Sequence, residues 1–591
     1  MEWRGCRLSL GCANRGIRMS ERFDTRDAAW PPRPWIMAAI CAAAGLIFDL
    51  LVDFSANAAA PPLRQAAAAF VAVAAVSFVI TVEQRRWLWA LGFALGWGVI
   101  VALIGWFTAG YNRQHEIFEF PFLSGVFAVL LAAPLFQTVR DEGGWRFPYA
   151  RLHGHAWTDA VIGAASLAFV GITFLLAWLI AGLFDLIGID AVKQLLKEEW
   201  FDWMLAGFAF GAAVGLLRER DSLVATLQRL VMVVLSVLAP VLAAALAMFL
   251  LSIPFTGLSK LWDSSVPATP LMLVAAAGAV LLVNAVIGNG QDEPAGNRVL
   301  RLSALLLLLC VLPLALIAAL SLGQRIGQYG WTPERMWGVV AVAVAMAYGA
   351  AGWWAAATGR GGYDDVLRPL QTMLAIGLCG LALLLALPIV DFGAISARSQ
   401  LARFADGRTP PAEFDWQAMA FDFGPAGRRQ LERIRRFGPA GQRKLAAAAL
   451  ASTNRYAVEA DVAKSASLAN LDRFLRVVPD GAAVPPGLRD AVGASRFCRT
   501  DPCILMLVDA RSAVLAGHWR GEDALQSQRL TLGKNGEWSE LVGVPVPPVA
   551  GQPKPAAGKD EPDLATAPVE LRTVDRRQLF IAGRPVGEAF E

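Results

Sequence analysis

Charge is scarce in this chain of 591 residues. Only 17% of them are Asp, Glu, Lys or Arg, against about 25% in an ordinary soluble domain. The net charge is +4, which is too small over this length to recommend a nucleic-acid partner. Histidine is rarer still, with 4 residues, and there are only 7 cysteines. A disulfide-stapled secreted scaffold is excluded by that cysteine count. No Gly-x4-Gly-Lys-Ser/Thr loop, His-Glu-x-x-His pair or Gly-x-Ser-x-Gly elbow occurs, so nucleotide hydrolysis, zinc peptidase and serine hydrolase chemistry lack their signatures. No catalytic residue, metal set or cofactor is assigned.

What fills the chain is apolar: 56% of residues are hydrophobic and the mean hydropathy is +0.47. They fall in runs of about 20, the length of a membrane-crossing helix. About eleven such runs are counted. They are Trp35–Val52, Gln65–Val82, Leu88–Phe107, Phe120–Val139, Ala160–Phe184, Trp203–Leu217, Leu230–Pro254, Pro270–Ile287, Leu302–Leu322, Met336–Thr358 and Leu370–Val390. Their Leu/Ala/Val content and length suit helices, not barrel strands. The fold class is therefore an all-α polytopic membrane bundle followed by a small α+β extramembrane domain. The expected boundaries are a cytoplasmic tail over 1–34, the bundle over 35–392, a periplasmic domain over 393–543, a Pro/Ala-rich linker over 544–568 and a C-terminal hairpin over 569–591. Met19 is a second candidate start, and the residues before it, with Cys6 and Cys12, have no apolar signal core.

Arginines orient the bundle. Loops after the even-numbered runs carry Arg85, Arg86, Arg140, Arg146, Arg151, Arg218, Arg220, Arg229, Arg298, Arg301, Arg360 and Arg368. The opposite loops carry fewer, which places the N-terminus in the cytoplasm and, with an odd number of crossings, the C-terminal domain outside. The loop from Asp185 to Asp202 reads as a short amphipathic helix in the interface. Gly207, Gly211 and Gly215, like Gly92 and Gly96, repeat at four-residue spacing and suit close helix approach.

Beyond the bundle, Phe423-Gly424-Pro425-Ala426-Gly427 recurs as Phe437-Gly438-Pro439-Ala440-Gly441, each copy opening a short helix. Strands are expected at Cys503–Val508, Ala513–Trp519, Gln528–Leu532 and Glu537–Val542, with a last hairpin from Leu571–Val574 and Gln578–Ile581.

Four sets of residues are candidates for chemistry. Asp49, with Asp53 and Asn57 at four-residue spacing, is an acidic group inside the first span; the alternative is a helix end already in water. Arg325, Tyr329 and Arg335 cluster at one mouth, where two guanidinium groups and a phenol suit an anion or lipid head group. The alternative is an interfacial anchor, with Tyr329 and Trp331 in the aromatic belt. His153 and His155 read as a solvated or interfacial loop sooner than as a ligand pair, for want of further ligands. Cys498 and Cys503 flank Asp501-Pro502, a turn that brings them within disulfide range; free thiols are the alternative.

The stretch Tyr329-Gly330-Trp331-Thr332-Pro333-Glu334-Arg335 resembles the Tyr-Gly-x-Thr-x-x-Arg signature of a bacterial membrane-protein family, domain-of-unknown-function family 4153. Gly45 to Leu51 is similar to its first span, and Phe421-Asp422-Phe423 with the paired Phe-Gly segments is similar to its post-membrane region. Val508-Asp509-Ala510-Arg511 departs from the acidic, glycine-containing turn that the family carries there. The resemblance implies architecture and no activity. Three readings of function stand: a transport or lipid-handling component of the inner membrane, a sensor or scaffold presenting a periplasmic domain to an envelope partner, and an enzyme acting on a lipid-linked substrate. Membrane lipids are the expected partners in all three.

Overall fold

The computed structural model describes residues 30–52, 61–109, 119–257, 267–289, 297–359, 362–409, 414–452, 471, 474–495, 497–498, 502–518, 525–533, 536–540, 564, 566–573 and 577–590. Asp53, Asn57, the tail before Trp30 and the linker through residue 563 lie outside the described residues.

Two compact units divide the chain, Met1–Ser396 and Ala397–Glu591. The first contains α1 (Arg33–Leu51), α2 (Pro62–Thr81), α3 (Trp87–Ala109), α4 (Glu119–Glu142), α5 (Tyr149–Leu186), the short α6 (Ala191–Leu195), α7 (Glu199–Glu219), α8 (Asp221–Thr256), α9 (Ala268–Ile287), α10 (Arg298–Tyr329), α11 (Pro333–Thr358) and α12 (Tyr363–Ala386). All but α6 are long and apolar enough to cross a membrane, eleven helices among the described residues. The sixth span, the shortest in the sequence reading, extends to Glu199–Glu219.

Helix starts follow local chemistry. Proline opens α1, α2 and α11, where its missing N–H is no loss. Thr332 caps α11 by accepting from the Arg335 N–H, and Asn297 caps α10 by accepting from the Val299 N–H at 2.9 Å. One start corrects the sequence reading: α5 begins at Tyr149, not near Ala160, so the stretch with His153 and His155 is helix and not loop.

Among the described residues the bundle has two large apolar cores and a smaller one of Ala69, Val101 and Val129. One large core joins α1, α2, α3, α5, α7 and α8 around Met37, Cys41, Val79, Ile162 and Val214. The other joins α8 to α12 around Leu307, Val311, Leu314, Ala279 and Leu367. Gly207, Gly211 and Gly215 of α7 lie against the backbone of α1: an added Cβ would stand 2.1 Å from the Cys41 carbonyl oxygen, 2.2 Å from that of Met37 and 2.5 Å from the Pro34 Cα. Gly92 and Gly96 differ, since each faces open space.

Helix α13 (Phe392–Ala405) follows the bundle. The second unit then has α14 (Trp416–Phe421), α15 (Gly424–Phe437), α16 (Ala440–Ala451) and α17 (Pro486–Ala494). A five-stranded sheet runs in the order β1 (Leu475–Val478), β2 (Cys503–Asp509), β3 (Ser512–His518), β4 (Leu525–Leu532), β5 (Trp538–Glu540). Only the β1–β2 pair is parallel. A second sheet holds β6 (Val569–Thr573), β7 (Arg577–Ile581) and β8 (Arg584–Phe590), so the expected C-terminal hairpin gains a third strand. Side chains alternate across a strand: Leu505 and Leu515 pack with α17, whereas Ile504 and Val514 pack against Leu579 and Ile581 of the second sheet. At the β2–β3 turn, the Ser512 hydroxyl and the Arg511 N–H donate to Asp509 and hold its carboxyl below the usual carboxylate range.

Candidate functional site

Three cavities lie in a row through the bundle. The central one measures about 530 Å³ and is walled by α4, α9, α10, α11 and α12. Its lining is apolar but for Ser124 and Tyr348, with Leu273, Ala276, Val280, Val340, Val344, Leu378 and Leu381 around it. Ser124 spends its hydroxyl on the Ala382 carbonyl at 2.8 Å. Phe127 and Val274, both exposed, form part of the wall, so the cavity opens sideways, toward where lipid would lie.

Tyr348 also lines a second cavity of about 310 Å³ between α5, α9, α11 and α12. This one is polar. Tyr149, His153 and Trp157 come from α5, Asn284 from α9, Gln371 and Thr372 from α12. His153 is 7% exposed; the Asn284 backbone lies within reach of one of its buried ring nitrogens, and the other has no hydrogen-bond partner. Gln371 is equally buried, and its Oε1 also lacks a partner. The Tyr149 hydroxyl lies 3.3 Å from Asn284 Oδ1, and Asn284 donates to the Val280 carbonyl at 2.9 Å.

Trp337 and Leu385 line both the central cavity and a third one of about 190 Å³, whose wall includes Thr108, Pro333 and Asp391. The row follows α11 from Pro333 through Trp337 to Tyr348, about 22 Å at 1.5 Å per residue.

Another region of the bundle carries a clasp of charge at the helix ends near Tyr149. Arg140, with 2% of its side chain exposed, pairs with Glu83 and with Asp141 at 2.9 Å, and donates to the Thr81 carbonyl at 2.7 Å. Arg33 donates to the Val82 carbonyl at 3.0 Å, and Arg218 to that of Ile80. His155 lies 3.0 Å from Asp141 Oδ2, and Gln137 donates to Asp159 at 2.8 Å. His153 and His155 sit two residues apart on a helix, about 200° around its axis. One therefore meets the cavity and the other the clasp, and they do not converge on a common ligand. No group of three or more His, Cys, Asp or Glu could hold a metal ion among the described residues.

The residues singled out from sequence are placed as follows. Arg335 donates to the Gly330 carbonyl at 2.6 Å and stands 5.5 Å over the Tyr329 ring. Arg325 is exposed, one turn before Tyr329 on α10. Pro333 and Trp337 line the third cavity, but Arg335 falls on a different side of α11 from both. Asp49 is half-buried two residues from the end of α1, which packs on α2 and α7, so it joins neither the arginines nor the cavities. Cys498 and Cys503 are bonded, with Cα atoms 5.2 Å apart, and both sulfurs belong to the buried core of the second unit. The polar cavity was missed in sequence. Its signal was there: Tyr149, His153 and Trp157 recur at i, i+4 and i+8 directly after Pro148, which is one helical face.

Eleven helices long and apolar enough to cross a membrane mark a helical membrane protein. The family described as Domain of unknown function (DUF4153) matches residues 67–434, more than half of the chain, and the protein belongs to that family. No curated protein and no solved structure matches it.

Proposed function

We propose that this protein handles an amphiphilic, lipid-like molecule within the inner membrane of a bacterial cell. The carrying observation is the central cavity, with apolar walls from five helices and a side opening past Phe127 and Val274. An ion or a hydrophilic solute would lose its hydration there without replacement, whereas an acyl chain loses nothing. Its size lies within the about 300–1,000 Å³ usual for ligand sites.

Arginine-rich loops support a cytoplasmic N-terminus and, with it, a cytoplasmic-side polar cavity. Eleven crossings then carry the second unit to the periplasm, and an oxidising compartment accords with the Cys498–Cys503 bond. In that setting the Tyr329–Arg335 pair lies at the outer interface, where Arg335 completes the Gly330 turn and Tyr329 faces the headgroup layer. A second reading, a scaffold presenting its periplasmic unit to an envelope protein, is favoured by the cores that this unit builds for itself.

The test uses full-length protein in lipid nanodiscs and a phospholipid with a photoreactive tail. Labelling should map to Val340, Val344 and Leu381. Labelling confined to outward residues such as Leu175 and Val237 would sink the amphiphile reading. Thiol reagents on intact cells test the orientation: Cys498 and Cys503 should react only after reduction, and then with an impermeant reagent.

A further inference from the structure

The polar cavity has hydrogen-bonding capacity that the protein leaves unused. A neutral imidazole offers one N–H donor and one acceptor; the Asn284 backbone lies within reach of the His153 donor, and its acceptor is unused. Gln371 Oε1 offers a further unused acceptor. Burying such groups unpaired costs about 1–3 kcal/mol each, so their survival at 7% exposure marks a place where something else completes them. Both unused atoms accept, so the set asks for a partner that donates.

That requirement discriminates among head groups. A phosphate only accepts, and would face two acceptors with no donor of its own. The nearby cation does not offer a two-pronged phosphate clamp, because Arg368 gives Nη1 to Asp365 at 2.8 Å and Nη2 to Asp364 at 2.9 Å and keeps only its Nε without a partner. A quaternary ammonium neither donates nor accepts. A hydroxyl does both. The remaining wall is aromatic, with Tyr149, Trp157 and Tyr348 around the two polar groups, and rings of this kind cover the apolar C–H faces of a polyol.

We propose that the polar cavity binds the uncharged, hydroxyl-rich head group, glycerol-like or sugar-like, of a membrane amphiphile, with His153 and Gln371 as its hydrogen-bonding partners. The inference rests on the amphiphile reading above and deepens it. Tyr348, shared by the two cavities, marks where head meets tail, so one molecule can place its hydroxyls against His153 and its chain along Val344 and Leu381.

Three photoreactive probes test it on full-length protein in phosphatidylcholine nanodiscs. Two share one diazirine-bearing acyl tail and differ only in head, one glucosyl and one phosphocholine. The third is a diazirine-bearing glucose with no tail. The glucosyl lipid should label the central cavity about tenfold more than the phosphocholine lipid, the ratio expected from one or two extra hydrogen bonds. His153→Phe and Gln371→Leu keep the bulk and remove the polar atoms, and each should bring glucosyl labelling down to the phosphocholine level. His153→Asn, which can still donate and accept, should retain part of the preference. Equal labelling of the wild-type protein by the two lipids overturns the head-group assignment while leaving the amphiphile reading intact. Labelling of the cavity by neither lipid overturns both. Labelling by tail-less glucose as strong as by the glucosyl lipid overturns the lipid source of the head group. The comparison of heads is made on the wild-type chain, so a variant that fails to fold does not remove the test.

Discussion

Two regions of the bundle close in opposite ways. Between α1 and α7, glycines bring backbone against backbone, and no side chain fits between them. Buried charge then ties the adjoining helix ends together, with Arg140, Glu83 and Asp141 at its centre. Between α4, α9, α11 and α12 the helices instead stand apart and leave a row of cavities. Lipid tails compete with apolar side chains for such gaps, so in a membrane close packing must come from small residues or from polar groups with nowhere else to bond. Where a bundle uses both devices it forms a fixed frame. Where facing helices use neither, an opening persists that lipid can enter, even though Gly349 and Gly352 of α11 pack closely on α10. The contrast supports the proposal that the first region is a scaffold and the second binds an amphiphile.

The contrast breaks first if the frame tolerates damage. Arg140→Met removes the cation from a clasp that holds Glu83 and Asp141, leaving two carboxylates without it. Loss of one partner of a buried pair costs about 3–5 kcal/mol, and the expected outcome is little folded protein by size-exclusion chromatography in detergent. Gly211→Val comes next. Its Cβ would lie 2.2 Å from the Met37 carbonyl oxygen, so α1 and α7 must separate. Overpacking costs about 1–3 kcal/mol where side chains can move aside; here the obstacle is backbone, and a melting-temperature loss at the upper end of that range is expected. A Gly211→Val protein that melts like the wild type would mean the seam is not the frame.

The frame was partly legible in sequence and the opening hardly at all, for a physical reason. Gly207, Gly211 and Gly215 announce a close approach because a spacing of four is one helical face, and spacing is local information. Gly92 and Gly96 have the same spacing and no such contact, because a small residue permits an approach that only a neighbouring helix can make. The spans were readable from apolar run length alone. The strands from Cys503 to Leu532 were readable from composition, whereas β1 was not: its partner in the sheet is a parallel strand remote in sequence, beyond the reach of hairpin logic. The cavities depend on how far α5, α9 and α12 stand from one another, which no one-dimensional pattern encodes. His153 was read as loop because glycine and aromatic residues surround it, although Tyr149 and Trp157 flank it at helical spacing. The arginine loop was conspicuous for its residue types, yet Arg335 satisfies its own turn and stays out of the cavity row.

The opening is tested by filling it. Ala345→Phe places a ring in the central cavity, where Ala345 forms part of the wall. Space is available there, so the melting temperature should hold, corresponding to a change within about 1 kcal/mol. Labelling of Leu381 by a tail-reactive lipid should fall about tenfold, as the same space cannot hold both a phenyl ring and a chain. Unchanged labelling would show that lipid reaches Leu381 by another route, and the division of the bundle would lose its binding region.

The smallest effect, and the sharpest use of the contrast, lies in the two glycines of α3. If close approach were a property of the spacing, Gly92→Ala and Gly96→Ala would destabilise the protein as Gly207→Ala should. An added Cβ at Gly92 or Gly96 meets nothing within 4 Å, whereas one at Gly207 would meet the Cys41 carbonyl oxygen at 2.1 Å. With no contact to lose, the remaining term is backbone freedom, and alanine in a helix interior is favoured over glycine by about 0.5–1 kcal/mol. Gly92→Ala and Gly96→Ala should therefore leave the melting temperature level or raise it by a few degrees, while Gly207→Ala lowers it. Measured side by side in detergent and in nanodiscs, the three variants separate packing inside one chain from contact between chains. A loss at Gly92 or Gly96 that appears only in nanodiscs would show this face of α3 meeting another copy there. A loss in both media would place a partner helix against α3 and erase the difference between the two glycine rows.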